Sequence, residues 1–244
     1  MCNICGNPSL NHSPIYSRRN FLKLVGGAGM ALAVPGRDLF AAGETPKPQN
    51  VLSPGEALAR LKKGNARYVE GVAKRHDFVA EREALVGGQN PFAGVLSCAD
   101  SRIAPEYAFD TARGDLFVVR VAGNFMDTDG LASFEYTVKF LGTTLLVVLG
   151  HDKCGVVDAA IKAVKGAELP GHLPELVEHI EPAVKAAMAK SGDLLANAIR
   201  ENVLRNVENL KAASPILSQY VSEKKLMVVG GIYKLDDGRI EWLG

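Results

Sequence analysis

The chain has 244 residues, 47% of them hydrophobic and 23% charged, with a formal net charge of +1. That balance is ordinary for a soluble globular protein and gives no electrostatic case for a nucleic-acid partner. No apolar run reaches the ~18–20 residues of a membrane-spanning helix, and four cysteines are too few to form a disulfide scaffold in a chain of this length.

Residues 17–23 read SRRNFLK and lead into LVGGAGMALAV, a moderately apolar stretch rich in glycine and alanine. Paired Arg18 and Arg19 ahead of a weakly hydrophobic segment look like a twin-arginine export signal. The remaining motif positions, Ser17, Phe21, Leu22 and Lys23, fit it as well. Residues 1–43 are therefore expected to be a removable leader, cut near Ala41, Ala42 and Gly43. The twin-arginine machinery is the expected partner in transit, and a periplasmic location the expected destination. Such signals carry proteins that have already folded, often around a cofactor. The C-x-x-C pair Cys2 and Cys5 lies in the leader and is expected to leave with it.

Residues 44–52, polar and carrying Pro46 and Pro48, read as a linker, and residues 53–244 as one domain. Ser53, Pro54 and Glu56 form a helix start: an N-cap, a proline in the first turn and a capping-box acid. Leu58, Leu61, Ala66 and Tyr68 then face an apolar surface, and Gly71 stops the helix. FAGVLS (92–97) reads as a buried strand and LFVVRVA (116–122) as a second. In residues 130–142, Leu131, Phe134, Val138 and Leu141 recur at helical spacing, with Gly142 as the cap. TLLVVLG (144–150) is a third strand, helical patterns run to about residue 213, and LMVVGGIY (226–233) is a fourth strand. The turn LDDGR and the short IEWL (240–243) predict a terminal hairpin. Apolar strands alternating with helices define a single α/β domain with a mostly parallel central sheet flanked by helices.

Ligands in open α/β sheets gather beyond the carboxyl ends of the strands. Cys98 directly follows one strand and His151 another, so both emerge at the same edge. Cys154, three residues on, can return to the same spot. Two thiolates and an imidazole suit a borderline-soft ion such as zinc, with a fourth position left for water. Asp100 and Arg102, two and four residues past Cys98, form an acid–base pair able to orient the ion or its water. Other readings of the same residues are two buried cysteines beside a satisfied histidine, a Cys98–His151 hydrolase pair oriented by Asp100, or a structural zinc with Asp100 as fourth ligand. His76, His172 and His179 are candidate proton carriers by chemistry alone.

CADSR (98–102), HDKC (151–154) and the intervening GDLFVVRVAGN (114–124) resemble the β-class carbonic anhydrases, and the likeness extends from ARLKKGNARYVEG (59–71) to VVGGIYKLDDGRIEWL (228–243). The resemblance implies reversible hydration of carbon dioxide to bicarbonate and a proton by zinc-bound hydroxide, with one zinc per chain on Cys98, His151 and Cys154. It implies Asp100 and Arg102 as the catalytic dyad, and Gln89, Phe117 and Tyr136 as substrate-pocket residues. It implies a homodimer or higher even oligomer, with the pocket at the interface and the N-terminal helices packed on the dimer partner. Some bacterial members carry a tryptophan three residues before the first cysteine, in a bicarbonate-binding regulatory pocket. Val95 stands there in this chain, so that pocket is expected to be missing and the site open. Carbonyl sulfide or carbon disulfide is an alternative substrate for the same chemistry.

Overall fold

A computed structural model describes residues 45–243. The segment expected to be a leader, with its paired arginines and first two cysteines, lies outside the described residues.

Helix α1 (Pro54–Val69) begins with the expected capping box: Ser53 accepts from the Glu56 N–H, and the Glu56 carboxylate accepts from the Ser53 N–H at 2.9 Å. Such a cap is worth about 1 kcal/mol. The helix buries Ala57, Leu61, Gly64 and Asn65, whereas Ala66 points to solvent. Its apolar face lies on this chain's own sheet, so only its outward face remains for a partner. Asn65 makes three bonds to two distant segments: its amide donates to the carbonyls of Ala108 (2.9 Å) and Gly238 (2.8 Å), and its oxygen accepts from the Ile240 N–H at 3.1 Å. Helix α2 (Phe78–Ala84) was not visible in the sequence pattern. It buries nothing and is held by its cap, Asp77, which accepts from the N–H groups of Val79 and Ala80.

The segment read as a linker is a fastened strap. Lys47 and Asn50 are buried around Asp115, which lies in the turn before the second strand. Asp115 accepts from Lys47 Nζ and Asn50 Nδ2, both at 3.0 Å, and from Arg60 Nη2 at 3.1 Å. Asn90 donates to the Lys47 carbonyl at 2.8 Å, and Asn50 to the Asn90 carbonyl at 2.8 Å. The strap's polarity serves a buried acid rather than water.

Strands β1 (Ala93–Ser97), β2 (Leu116–Arg120), β3 (Leu145–His151), β4 (Met227–Tyr233) and β5 (Ile240–Leu243) lie in the order β2-β1-β3-β4-β5. All neighbours run parallel except β4 and β5, the expected hairpin. Alternation along the central strands fills both faces. Leu96, Leu146 and Val148 join one core, and Val95, Val147 and Leu149 the other. The first core is roofed by α4 (Thr128–Leu141), α5 (Gly155–Val164), α6 (Leu173–Met188), α7 (Leu194–Ala212) and α8 (Ile216–Ser222). The second is covered by α1 and the short α3 (Pro105–Ala108). Gly142 closes α4 at φ 71°, as its position predicts. Strand β2 ends two residues earlier than its composition implies, and it is only half-buried because it forms the sheet edge.

Candidate metal centre

Strand β1 delivers Cys98 directly after its last residue, and β3 ends on His151 itself. Ser97 pairs with Leu149 in register, so the two chain ends emerge together at the carboxyl edge. Cys154 is the N-cap of α5. The chain reverses through Asp152 and Lys153, the latter at φ 52°, which returns the cysteine to the histidine. The ligating atoms of Cys98, His151 and Cys154 lie within 4.8 Å of one another, and all three residues are buried. They are the only such cluster among the described residues.

The chemistry of the donors fits a metal ion. His151 Nδ1 is 2.7 Å from the Asp152 carbonyl oxygen and donates to it, which leaves the Nε2 lone pair facing the two sulfurs. That nitrogen is buried without a hydrogen-bond partner. An orphaned buried polar atom costs about 1–3 kcal/mol, so this one is accounted for as a ligand. The Cys154 thiol beside it pulls Cys98 down to about 4 against the resistance of burial, helped by His151 and by the N–H groups of Gly123 and Asp100. The same contact pushes Cys154 up. Two adjacent sulfurs hold one negative charge between them, and a dication is what lets both become thiolates.

Asp100 faces this cluster, with Oδ2 3.7 Å from His151 Nε2. Three hydrogen bonds bind it to Arg102: Oδ1 accepts from the backbone N–H and from Nε, both at 2.9 Å, and Oδ2 accepts from Nη2 at 2.6 Å. The Arg102 guanidinium holds the carboxyl well below the usual carboxylate range. Arg102 also reaches the Lys153 carbonyl at 3.5 Å, across the turn that carries the other two ligands. Because Asp100 is spent on Arg102 and the histidine is oriented by a backbone carbonyl, the arrangement is not a hydrolase triad.

Sequence reasoning missed Arg120. It ends β2 and donates to the carbonyls of Cys98 (3.0 Å), Asp100 (2.9 Å) and Ile103 (2.9 Å), clamping the loop that carries ligand and dyad. The available signal was a lone charge closing an apolar strand at the ligand edge. The three expected pocket residues are not brought to this cluster. Gln89 is exposed ahead of β1, at the end of the strand opposite Cys98. Phe117 lies early in β2, opposite Gly94, with its ring 6.5 Å from that of Tyr136 on α4. Tyr136 in turn meets Phe140 at 5.6 Å. Val95 is wholly buried in the α1-side core. His76 pairs with Glu81 and His172 with Glu175, while the His179 ring stacks on Phe125 at 4.2 Å.

A mostly parallel α/β sheet presenting two cysteines, a histidine and an Arg-held aspartate at its carboxyl edge defines an α/β protein with a candidate metal site. The carbonic anhydrase family model matches residues 93–240. "Carbonic anhydrase 2" of Mycobacterium tuberculosis is 40% identical over 189 residues, covering 77% of this chain and 91% of that protein. The carbonic anhydrase of Mycolicibacterium smegmatis is 38% identical over 195 residues, 78% of this chain and 93% of that one. Among solved structures, the Coccomyxa β-carbonic anhydrase in complex with acetazolamide aligns with a TM-score of 0.61 at 25% identity, covering 76% of this chain and 86% of that chain. The chain belongs to the β-carbonic anhydrase family.

Proposed function

We propose that this protein is a zinc enzyme that reversibly hydrates carbon dioxide to bicarbonate and a proton. The observation that carries the reading is the orphaned Nε2 of His151, buried between two cysteine sulfurs and faced by an ionised Asp100. Cys98, His151 and Cys154 are the ligands that would hold zinc, a borderline-soft ion suited to two thiolates and an imidazole. When bound, zinc supplies a Lewis acid that makes water a nucleophile near neutral pH. Asp100, kept ionised by Arg102, accepts a hydrogen bond from the attacking water and so aims its lone pair at the substrate. Arg102 occupies both carboxylate oxygens with hydrogen bonds, so Asp100 faces the ligand position without being released to it as a ligand. Arg120 fixes the loop that carries both.

Gln89, Phe117 and Tyr136 are assigned to substrate binding in a second copy of the chain. The support is that Gln89 precedes β1 at the end opposite Cys98, while Phe117 packs with Tyr136 beside an edge strand where Tyr136 and Phe140 are exposed. A homodimer, or a higher even oligomer, would bring them to a partner's site. Residues 1–43 are assigned to twin-arginine export to the periplasm, on the motif alone, and residues 53–244 to the catalytic domain.

The test is stopped-flow carbon dioxide hydration with metal analysis, on the chain from residue 44 onward. Fast turnover at about one zinc per chain, lost in Cys98→Ser, supports the reading, and a zinc-loaded chain without turnover overturns it. Fusing residues 1–43 to a folded reporter, with Arg18 and Arg19 changed to lysine as control, tests the export assignment separately.

A further inference from the structure

Behind the cluster, two asparagines on α7 form a buried amide ladder. Asn202 is 1% exposed and Asn206 is 3% exposed. Asn206 Nδ2 donates to the Asn202 backbone carbonyl at 2.8 Å and to its side-chain oxygen at 3.2 Å. Asn202 Nδ2, thus oriented, donates to the Gly123 carbonyl at 2.8 Å. The Gly123 N–H donates in turn to Cys98 Sγ at 3.3 Å. Lower in the ladder, Asn206 Oδ1 accepts from the Met126 N–H at 2.8 Å, so both ends of the 123–126 loop hang from one helix.

The loop needs this support. Gly123 sits at φ +89° and Asn124 at φ +41°, a run that leaves regular backbone. A Cβ on Gly123 would come within 2.5 Å of Ile180 Cδ1, so α6 presses the loop from the other side. Val121 ties this stretch to the ligand loop, donating to the Ser97 carbonyl and accepting from the Ala99 N–H, both at 3.2 Å, and the Asn124 N–H closes the turn on the Val121 carbonyl at 3.0 Å. The Asn202 amide on α7 then holds the Gly123 carbonyl and completes the aim of the Gly123 N–H at Cys98 Sγ.

We propose that Asn202 is a positioning residue for the metal centre: by gripping the Gly123 carbonyl it directs the Gly123 N–H at Cys98 Sγ and so sets the electron density this thiolate offers its ion. The inference rests on the metalloenzyme reading above. An N–H···S bond withdraws charge from the sulfur. Losing it makes the thiolate a freer donor, and slackening the loop loosens the ligand. Partners of this outer kind typically change metal affinity by about 10- to 100-fold.

The probe is cobalt(II) in place of zinc, because its thiolate charge-transfer absorption reports on sulfur directly. Asn202→Leu is expected to move that band to longer wavelength and to speed metal release to a chelator by about 10-fold. Val207→Ala trims the buried side chain next to Asn206 that packs toward Gly230 on β4 rather than toward the 123–126 loop, and serves as the structural control. It should lower stability while leaving band and release rate in place. Asn206→Ala, which removes the amide that orients Asn202, should shift the band the same way and serves if the leucine variant does not fold. An unshifted band with a release rate within about twofold of the parent, in whichever variant folds, overturns the proposal. A shift of equal size in Val207→Ala also overturns it, since general loosening would then explain the effect. If the parent chain itself takes up no metal, the metalloenzyme reading fails and takes this one with it.

Discussion

Asp100 separates a catalytic ion from a structural one. Its carboxylate is engaged by Arg102 and lies 3.7 Å from the histidine nitrogen, near the cluster but not closed upon it. Asp100→Asn should therefore retain zinc and lose about 10²-fold in kcat, a general-base-sized effect. Loss of zinc from that variant would instead make Asp100 a permanent ligand. Arg102 depresses the Asp100 pKa, so the carboxylate stays ionised as the pH falls well below neutrality. Protonation of Asp100 then does not shut the site between pH 6.5 and 9, and an activity loss there belongs to another group. Replacing Arg102 with Met should bring acid inhibition toward neutral pH, which a pH–rate profile of the variant would reveal. Small residues matter as much where elements touch. A Cβ on Gly94 would meet Leu146 Cδ2 at 2.5 Å and Phe134 Cε1 at 3.0 Å, so Gly94→Ala should cost about 1–3 kcal/mol in urea unfolding.

The strap shows what pattern reading can and cannot see in an element. Capping signals read correctly because they act within a few residues: Ser53 with Glu56, and Gly142 at the end of α4. The strap failed to read as structure because its meaning lies 68 residues away, where Asp115 gathers Lys47, and 65 residues away, where it gathers Asn50. Burial alone would raise the Asp115 pKa, but Asn50, the Ala112 N–H, Arg60 and Lys47 together bring it below its ordinary value. A depressed pKa in the folded state gives stability that is present above the unfolded value, ~3.9, and is lost as pH falls through the folded one. Asp115→Asn should thus flatten the acid limb of the stability curve below about pH 4. At neutral pH it should cost about 3 kcal/mol, because it leaves Lys47 buried beside a neutral partner. Thermal unfolding across pH 2.5–7 measures both. The metal ligands were legible for the opposite reason. Cys98 and His151 each close an apolar run, and parallel runs end at one edge, so two local signals sufficed to place a distant pair. Arg120 showed only as a lone charge closing an apolar strand, and Asn202 gave no signal, because their partners are backbone atoms of other segments.

The assembly expected of this chain follows from what one copy leaves unfinished. Gln89, Phe117 and Tyr136 stand apart from the Cys98 cluster, while β2 offers an open edge and Phe140 is 49% exposed. Phe140→Glu should shift sedimentation from dimer toward monomer and, if the pocket is shared, lower kcat/KM in parallel. A monomer with full activity would put the substrate pocket within a single chain. The family resemblance already places these residues in an interface pocket; residue pattern alone could not show their separation from the metal ligands, since that depends on strand order.

Asn65 has a consequence for how the molecule is made. It sits in the first helix yet bonds Gly238 and Ile240, spans of 173 and 175 residues. A ribosome releases those partners last, so α1 cannot find its full seat on the nascent chain until synthesis is nearly over. Its docking is in effect a mark of completion: a chain broken off before the terminal hairpin would keep the Asn65 bond to Ala108 but lose those to Gly238 and Ile240. The first helix of the domain is then the one whose seating depends on the far end of the message.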